Sequence, residues 1–345
     1  MKKLFFIAAI AGAALVSCTK NELAPSATEQ HEITFASPVV GAQTKVTGAI
    51  GSTYNTGESF EVWAVYNTAS ISAWGGTPYF SDVTAVYDAT ANGWGLIPKY
   101  FWPANGMLSF VALSPATSKT TTFDATNGFT IDNWVQGATE GAIIDLMYSD
   151  ISFDNAKIEF GTDSEELSGD QHSYKGVDIK FNHALSYLVF NIKTAADYSG
   201  TTKFQLTNIQ LTGIHTTGDF NQNATDPWTE DTNTSGTYNA YTGALLFGEG
   251  TGVTTVPETA EKEIILLPQT LTTGTQKITI SYNISTDRGT TWIPQVQTAD
   301  LTTTAVPEWE MGKKYTYTIT IGMTEIIFDP AVSNWTNGTD GEITL

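Results

Sequence analysis

In the stretch KITISYNIS, residues 277–285, apolar and polar residues alternate without a break. Ile278, Ile280, Tyr282 and Ile284 fall on one face, and Lys277, Thr279, Ser281 and Asn283 on the other. Tyr315, Tyr317, Ile319 and Ile321 repeat the pattern in KYTYTITIG. A period of two predicts half-buried strands of antiparallel sheets packed on one side. From His31 onward the chain runs in short segments rich in Thr, Val, Ile, Tyr, Phe and Trp, punctuated by Gly, Asn, Asp and Pro. The stretches near Ala195 and Glu165 that admit a helical period are short, and Gly200 and Gly169 interrupt them. The expected class is therefore all-β, built as β-sandwiches. Phe204 and Leu206 share one phase and Ile209 and Leu211 the other, which predicts a bulge around Thr207 and Asn208.

Before His31 the pattern is different. Lys2 and Lys3 precede an apolar run from Leu4 to Val16 that ends in small residues, the layout of a bacterial secretory signal over residues 1–17. The run is shorter than the ~20 apolar residues that span a bilayer. Residues 18–30, containing the polar stretch TKNELAPSATEQ, read as a flexible tether. A length of 345 residues suits two domains. The polar loop DSEELSGDQHSYKG places their boundary near 175, giving an N-terminal sandwich over 31–175 and a C-terminal one over 176–345. Each half opens alike, with Glu32-Ile33-Thr34-Phe35 and Asp178-Ile179-Lys180-Phe181.

Composition sharpens this. There are 36 Asp and Glu against 16 Lys and Arg, a net charge of −20. Such a surface repels phosphate backbones and anionic lipid, so nucleic acid is not an expected partner. Arg288 is the single arginine, and between Lys20 and Lys99 the only basic residue is Lys45. The chain has one cysteine, Cys18, which has no partner for an internal disulfide. Leu15-Val16-Ser17-Cys18 resembles the lipobox of bacterial lipoproteins, which implies an acylated Cys18 that tethers the protein to a membrane. The simpler alternative is an ordinary signal with an incidental cysteine.

No catalytic constellation emerges. The four histidines, at 31, 172, 183 and 215, have no metal-clamping spacing, and HExxH, GxSxG, P-loop and GxGxxG patterns do not occur. His183 is better read as a packed or hydrogen-bonded residue than as a general base, because no partner nucleophile accompanies it. Asp231, Asn233, Ser235 and Gly236 have calcium-loop spacing, but Thr242 stands where a bidentate Glu is required, so a plain turn is expected. Neither a cofactor nor a metal is expected. Trp74 and Trp228, in loop-like contexts, are candidate sugar platforms, although packing is the commoner role of tryptophan.

Tyr100-Phe101-Trp102-Pro103 followed by Leu108-Ser109-Phe110-Val111-Ala112-Leu113-Ser114-Pro115 resembles a characteristic region of the fimbrillin family, the type V pilins. His183-Ala184-Leu185-Ser186, Leu267-Pro268-Gln269, Trp309 with Gly312 and Tyr315, and Val332 with Trp335 extend the resemblance in the same order. It implies a lipoprotein precursor with two transthyretin-like sandwiches, polymerised by donor-strand exchange after a trypsin-like protease cuts behind the first strand. Carried onto this chain, the first strand is EITFASPVV within a removable segment 31–45, and the cut falls between Lys45 and Val46. The family often has arginine at this place, so the lysine leaves the protease's identity open. The donor would be 324–345, with Ile326, Ile327, Phe328, Val332 and Trp335 as its apolar groups and Pro330 forcing an edge or a bend.

Physically, a sandwich that loses a strand exposes unpaired backbone and a row of apolar pockets, a template for a strand of matching alternation. The leading expectation is thus a subunit of a cell-surface fimbria that passes through the outer membrane as a lipidated precursor. Expected partners are other fimbrial subunits, the processing protease, the lipoprotein export and acylation machinery, and a host glycan or protein receptor. The alternative is a monomeric outer-membrane surface lipoprotein that binds glycans through Trp74 and Trp228. An enzyme is not expected.

Overall fold

The computed structural model describes residues 32–36, 38–40, 49–50, 53–54, 56–89, 93–117, 120–137, 142–156, 176–198, 200–248, 252–256, 264–303, 305–322 and 326–335. Among them every regular element is a strand, so the protein is all-β. The first half holds β1 (Thr34–Phe35), β2 (Val39–Val40), β3 (Ala49–Ile50), β4 (Thr53–Tyr54), β5 (Ser59–Asn67) and β6 (Thr77–Asp88). β7 (Gly93–Ile97), β8 (Met107–Ser114), β9 (Thr121–Asp124), β10 (Gly128–Val135), β11 (Met147–Ser149) and β12 (Ser152–Ala156) complete it. Then come β13 (Lys180–His183), β14 (Ser186–Thr194), β15 (Lys203–His215), β16 (Thr217–Asn221), β17 (Trp228–Glu230), β18 (Ser235–Phe247) and β19 (Thr254–Thr255). The last are β20 (Ile264–Leu266), β21 (Gln269–Thr270), β22 (Lys277–Ser285), β23 (Ile293–Asp300), β24 (Glu308–Trp309), β25 (Lys313–Ile321) and β26 (Ile326–Asn334).

The largest sheet runs β1-β7-β6-β5-β8-β11-β13-β2, with β12 also on β8. Phe60 touches Phe35 of β1, Trp94 of β7 and Phe181 of β13, at ring separations of 5.7, 5.3 and 5.7 Å. A flat sheet cannot bring strands from opposite ends to one side chain, so this sheet curls around its own core. The two end strands, β1 and β2, belong to the same short segment. Residues 32–40 therefore close the curl, pairing antiparallel with β7 at one edge and parallel with β13 at the other.

β13 corrects the boundary read from sequence. Val177, Ile179 and Phe181 bury in the first core, and the chain leaves this sheet only at Ala184 and Leu185. A boundary at 175 falls before the last strand of the first sheet. The two similar tetrapeptides do not open two domains; they lie in neighbouring parallel segments of one sheet, with Phe35 bridged to Val177. Loop composition marked the polar stretch correctly as a loop, but it could not show which sheet the next strand joins.

The C-terminal half is a sandwich. β14, β25 and β26, with β19 and β20, form one sheet, and β18-β15-β22-β23 the other. The alternating residues Ile278, Ile280, Tyr282 and Ile284 meet Tyr315, Tyr317, Ile319 and Ile321 in the core between them. The register between Leu206 and Asn208 slips by one residue against both neighbours, which is the bulge that the phase change predicts.

The halves are not independent. β9 and β10 from the first half pair with β16 and β17 from the second in the sheet β17-β16-β10-β9. A third core beneath it joins Trp63, Val111 and Phe129 to Tyr187, Phe220 and Trp335. β5 and β8 thus have apolar residues on both faces, and they read as continuous buried runs instead of alternating ones.

Candidate assembly site

Residues 32–40 sit in a seat made for one strand. The Ile33 amide donates to the Tyr100 carbonyl at 2.8 Å, and the Val177 amide donates to that of Thr34 at 2.8 Å. The amides of Ala36 and Val39 donate to Val177 and Ile179 at 3.0 and 2.9 Å. Ile33 and Phe35 are wholly buried and Val40 almost so. The Phe35 ring meets Phe60 and Phe110 edge to face, at 5.7 and 5.6 Å. Burying these three side chains contributes about 4–9 kcal/mol as an upper estimate, before ordering costs. Gly176 permits the close approach: its φ is +92°, and a Cβ there would lie 2.4 Å from the Phe35 carbonyl carbon. At the rim the Lys99 ammonium pairs with Glu32 at 2.7 Å, an exposed contact worth little by itself.

The proposed donor segment is engaged within its own chain. β26 pairs with β25 along all nine residues, from Ile326 opposite Ile321 to Asn334 opposite Lys313. It is an edge strand, which is how Pro330, opposite Tyr317, is accommodated. Val332 packs partly buried on the C-terminal core. Ile326, Ile327 and Phe328 are placed by backbone pairing alone. Trp335, directly after the strand, is wholly buried and stacks on His183, with Tyr187 5.3 Å away in a near-parallel plane. His183 Nδ1 lies 3.0 Å from an Asp145 carboxylate oxygen, so the histidine is packed and hydrogen-bonded. Trp335 therefore ties the end of β26 to the last strand of the first sheet.

Cys18, Lys45 and Val46 lie outside the described residues. Trp228 is almost wholly buried, tilted against Phe220, and its indole N–H donates to the Ala184 carbonyl at 2.6 Å, as expected of a packing tryptophan. Trp74 is half-buried edge-on against Phe123. A cleft of about 620 Å3 opens between β17 and the β21-β24 ribbon. Trp228 and Trp309 line it, and Trp309 spends its indole N–H on the Tyr317 hydroxyl at 2.9 Å. Asp231 forms an ordinary turn: hydrogen bonds from Asn233 hold its carboxyl below the usual range.

One unusual group has no sequence signal. Glu61 in β5 is 5% exposed, and its carboxylate accepts from the Thr117 amide at 2.8 Å. Burial pushes its carboxyl up to about 7, partly offset by that hydrogen bond and assisted by Asp82 nearby.

Among the described residues the chain is all-β, and its first segment closes both edges of one curled sheet. Residues 44–335 match the fimbrillin-like protein family, and the chain belongs to that family. The fold is similar to a fimbrial protein from Bacteroides vulgatus, with a TM-score of 0.60 at 16% identity over 88% of this chain and 100% of that one. A putative cell adhesion protein from Bacteroides uniformis is similar at a TM-score of 0.52 and 20% identity, over 90% of this chain and all of that one. Comparison with curated proteins found no match. The family is of a structural fimbrial and adhesion type, which implies a place in cell-surface fimbriae and assembly with other fimbrial subunits.

Proposed function

We propose that the protein is a fimbrial structural subunit, made as a precursor acylated on Cys18, cut between Lys45 and Val46, and polymerised by donor-strand exchange. The observation that carries this reading is the seating of residues 32–40. One short segment upstream of Lys45 holds both edges of the first sheet, so its departure would free the edges of β7 and β13 together and empty the pockets of Ile33 and Phe35. Cutting at Lys45 would also release the Cys18 tether, placing the subunit first on the outer membrane and then in the fimbria.

Within the donor segment 324–345, β26 is held at home by β25 and Trp335. Donation of this segment on the present reading therefore requires β26 to leave β25. The partners on this reading are other subunits, a trypsin-like protease, the lipoprotein export and acylation machinery, and a host receptor. The test is N-terminal sequencing and electron microscopy of surface-released protein. A start at Val46 with filaments, both lost in Lys45→Ala, is expected; filaments from uncut protein would overturn the cleavage step.

A further inference from the structure

The sheet β18-β15-β22-β23 turns one face to the C-terminal core and the other outward. On the outward face of its two central strands Gln205 lies opposite Asn283, Asn208 opposite Ser281 and Gln210 opposite Thr279. The groups hydrogen-bond within the plane of the face. Asn283 Nδ2 donates to Gln205 Oε1 at 3.0 Å, Gln210 Nε2 donates to Asn239 Oδ1 at 3.0 Å, and the hydroxyls of Thr279 and Thr298 are 3.0 Å apart. Leu246 and Val296 stand on its two edge strands, 57% and 62% exposed.

Charge distinguishes this face. The chain has 36 Asp and Glu, yet along these four strands the only carboxylate is Asp300, at the end of β23. Lys203 and Lys277 lie at opposite ends of the outward face, and the rows between them are neutral. Two molecules of net charge −20 that approach through carboxylate-bearing surfaces repel each other. Through the neutral rows of this face they meet with no acid between them, because Asp300 lies in the end row opposite Lys277. Many of its polar side chains already bond one another or neighbouring backbone carbonyls, which lowers the cost of removing water from them. Its rows present no aromatic ring, so it lacks a stacking platform for sugar.

We infer that this outward face is a contact by which two copies of the chain pack against each other, related by a two-fold axis. Three rows of four strands measure about 14 Å by 14 Å, burying on the order of 800 Å2 in total with side-chain margins. That is below the ~1,200 Å2 of a stable pair, so one contact is weak. Repeated along a polymer, it becomes a lateral bundle through avidity, a step that rests on the fimbrial reading above.

The test is sedimentation of the purified protein up to about 1 mM, in low salt and in about 0.5 M salt where surface repulsion is screened. A reversible dimer that strengthens with salt is expected. Gln210→Glu and Val296→Glu, each placing a carboxylate on the face, should weaken it about tenfold or more, while Ser70→Glu in the exposed loop after β5 should not. Wild-type protein that stays monomeric throughout, as it would if the face served another partner, overturns the inference. So does equal weakening by Ser70→Glu. If the dimer behaves as expected and no filaments form on cells, the fimbrial reading fails and the contact stands.

Discussion

Trp335 lies flat on His183, with ring centroids 3.7 Å apart and planes 6° from parallel. The pair joins the residue after the last strand of the C-terminal sheet to the last strand of the N-terminal sheet, with an Asp145 carboxylate oxygen 3.0 Å from the imidazole Nδ1. It makes the two halves one mechanical unit.

Trp335→Ala should consequently destabilise both halves, by about 3–5 kcal/mol as for large aromatic deletions in cores. Urea unfolding followed by intrinsic fluorescence measures it. A loss below about 1 kcal/mol would mean that the stack is not a principal tie between the halves.

Phe35→Ala should cost a similar ~3–5 kcal/mol, because the ring fills the centre of the closing segment's seat. Protein lacking residues 32–40 should bind a synthetic peptide of that sequence, and a peptide with Phe35→Ala should bind far more weakly. Calorimetric titration distinguishes the two. No binding by the unaltered peptide would show that the seat collapses once vacated.

Gly176→Ala should act on the same seat from below. A side chain at a φ of +92° is strained, and its Cβ would press on the Phe35 backbone. The expected loss is about 2 kcal/mol or more, with earlier proteolysis of the N-terminal segment in a limited digest.

Glu61 predicts an inverted pH dependence for one increment of stability. Its carboxyl is raised from 4.5 to about 7, chiefly by burial, so between those values the folded protein holds a proton that the unfolded chain releases. Stability from this group is full below about 4.5 and is lost as pH rises to about 7, on the order of 2 kcal/mol. In thermal melts across that window Glu61→Gln should remove this slope. An unchanged slope in the variant would assign the dependence to other groups.

Local rules carried the reading of the strands. The alternation of Ile278 to Ile284 and of Tyr315 to Ile321 defined two core faces, the phase change at Thr207 and Asn208 marked a bulge, and Pro330 pointed to an edge. The same rules could not show that β13 joins the first sheet, that Trp228 is buried, or that β26 is paired in its own chain. Glu61 looked like any other acid in an acidic chain.

The sequence by itself determined that this is an all-β protein of fimbrillin type and which faces of its strands are apolar, because side-chain alternation is written within a few consecutive residues. Only the tertiary structure decided which strands are neighbours, that residues 32–40 close both edges of one sheet, and that Trp335 fastens the halves together. Those choices depend on pairings between residues about 60 to 150 positions apart. Many registers satisfy the same alternation, and the one that fills the shared cores without voids is set by the whole chain at once.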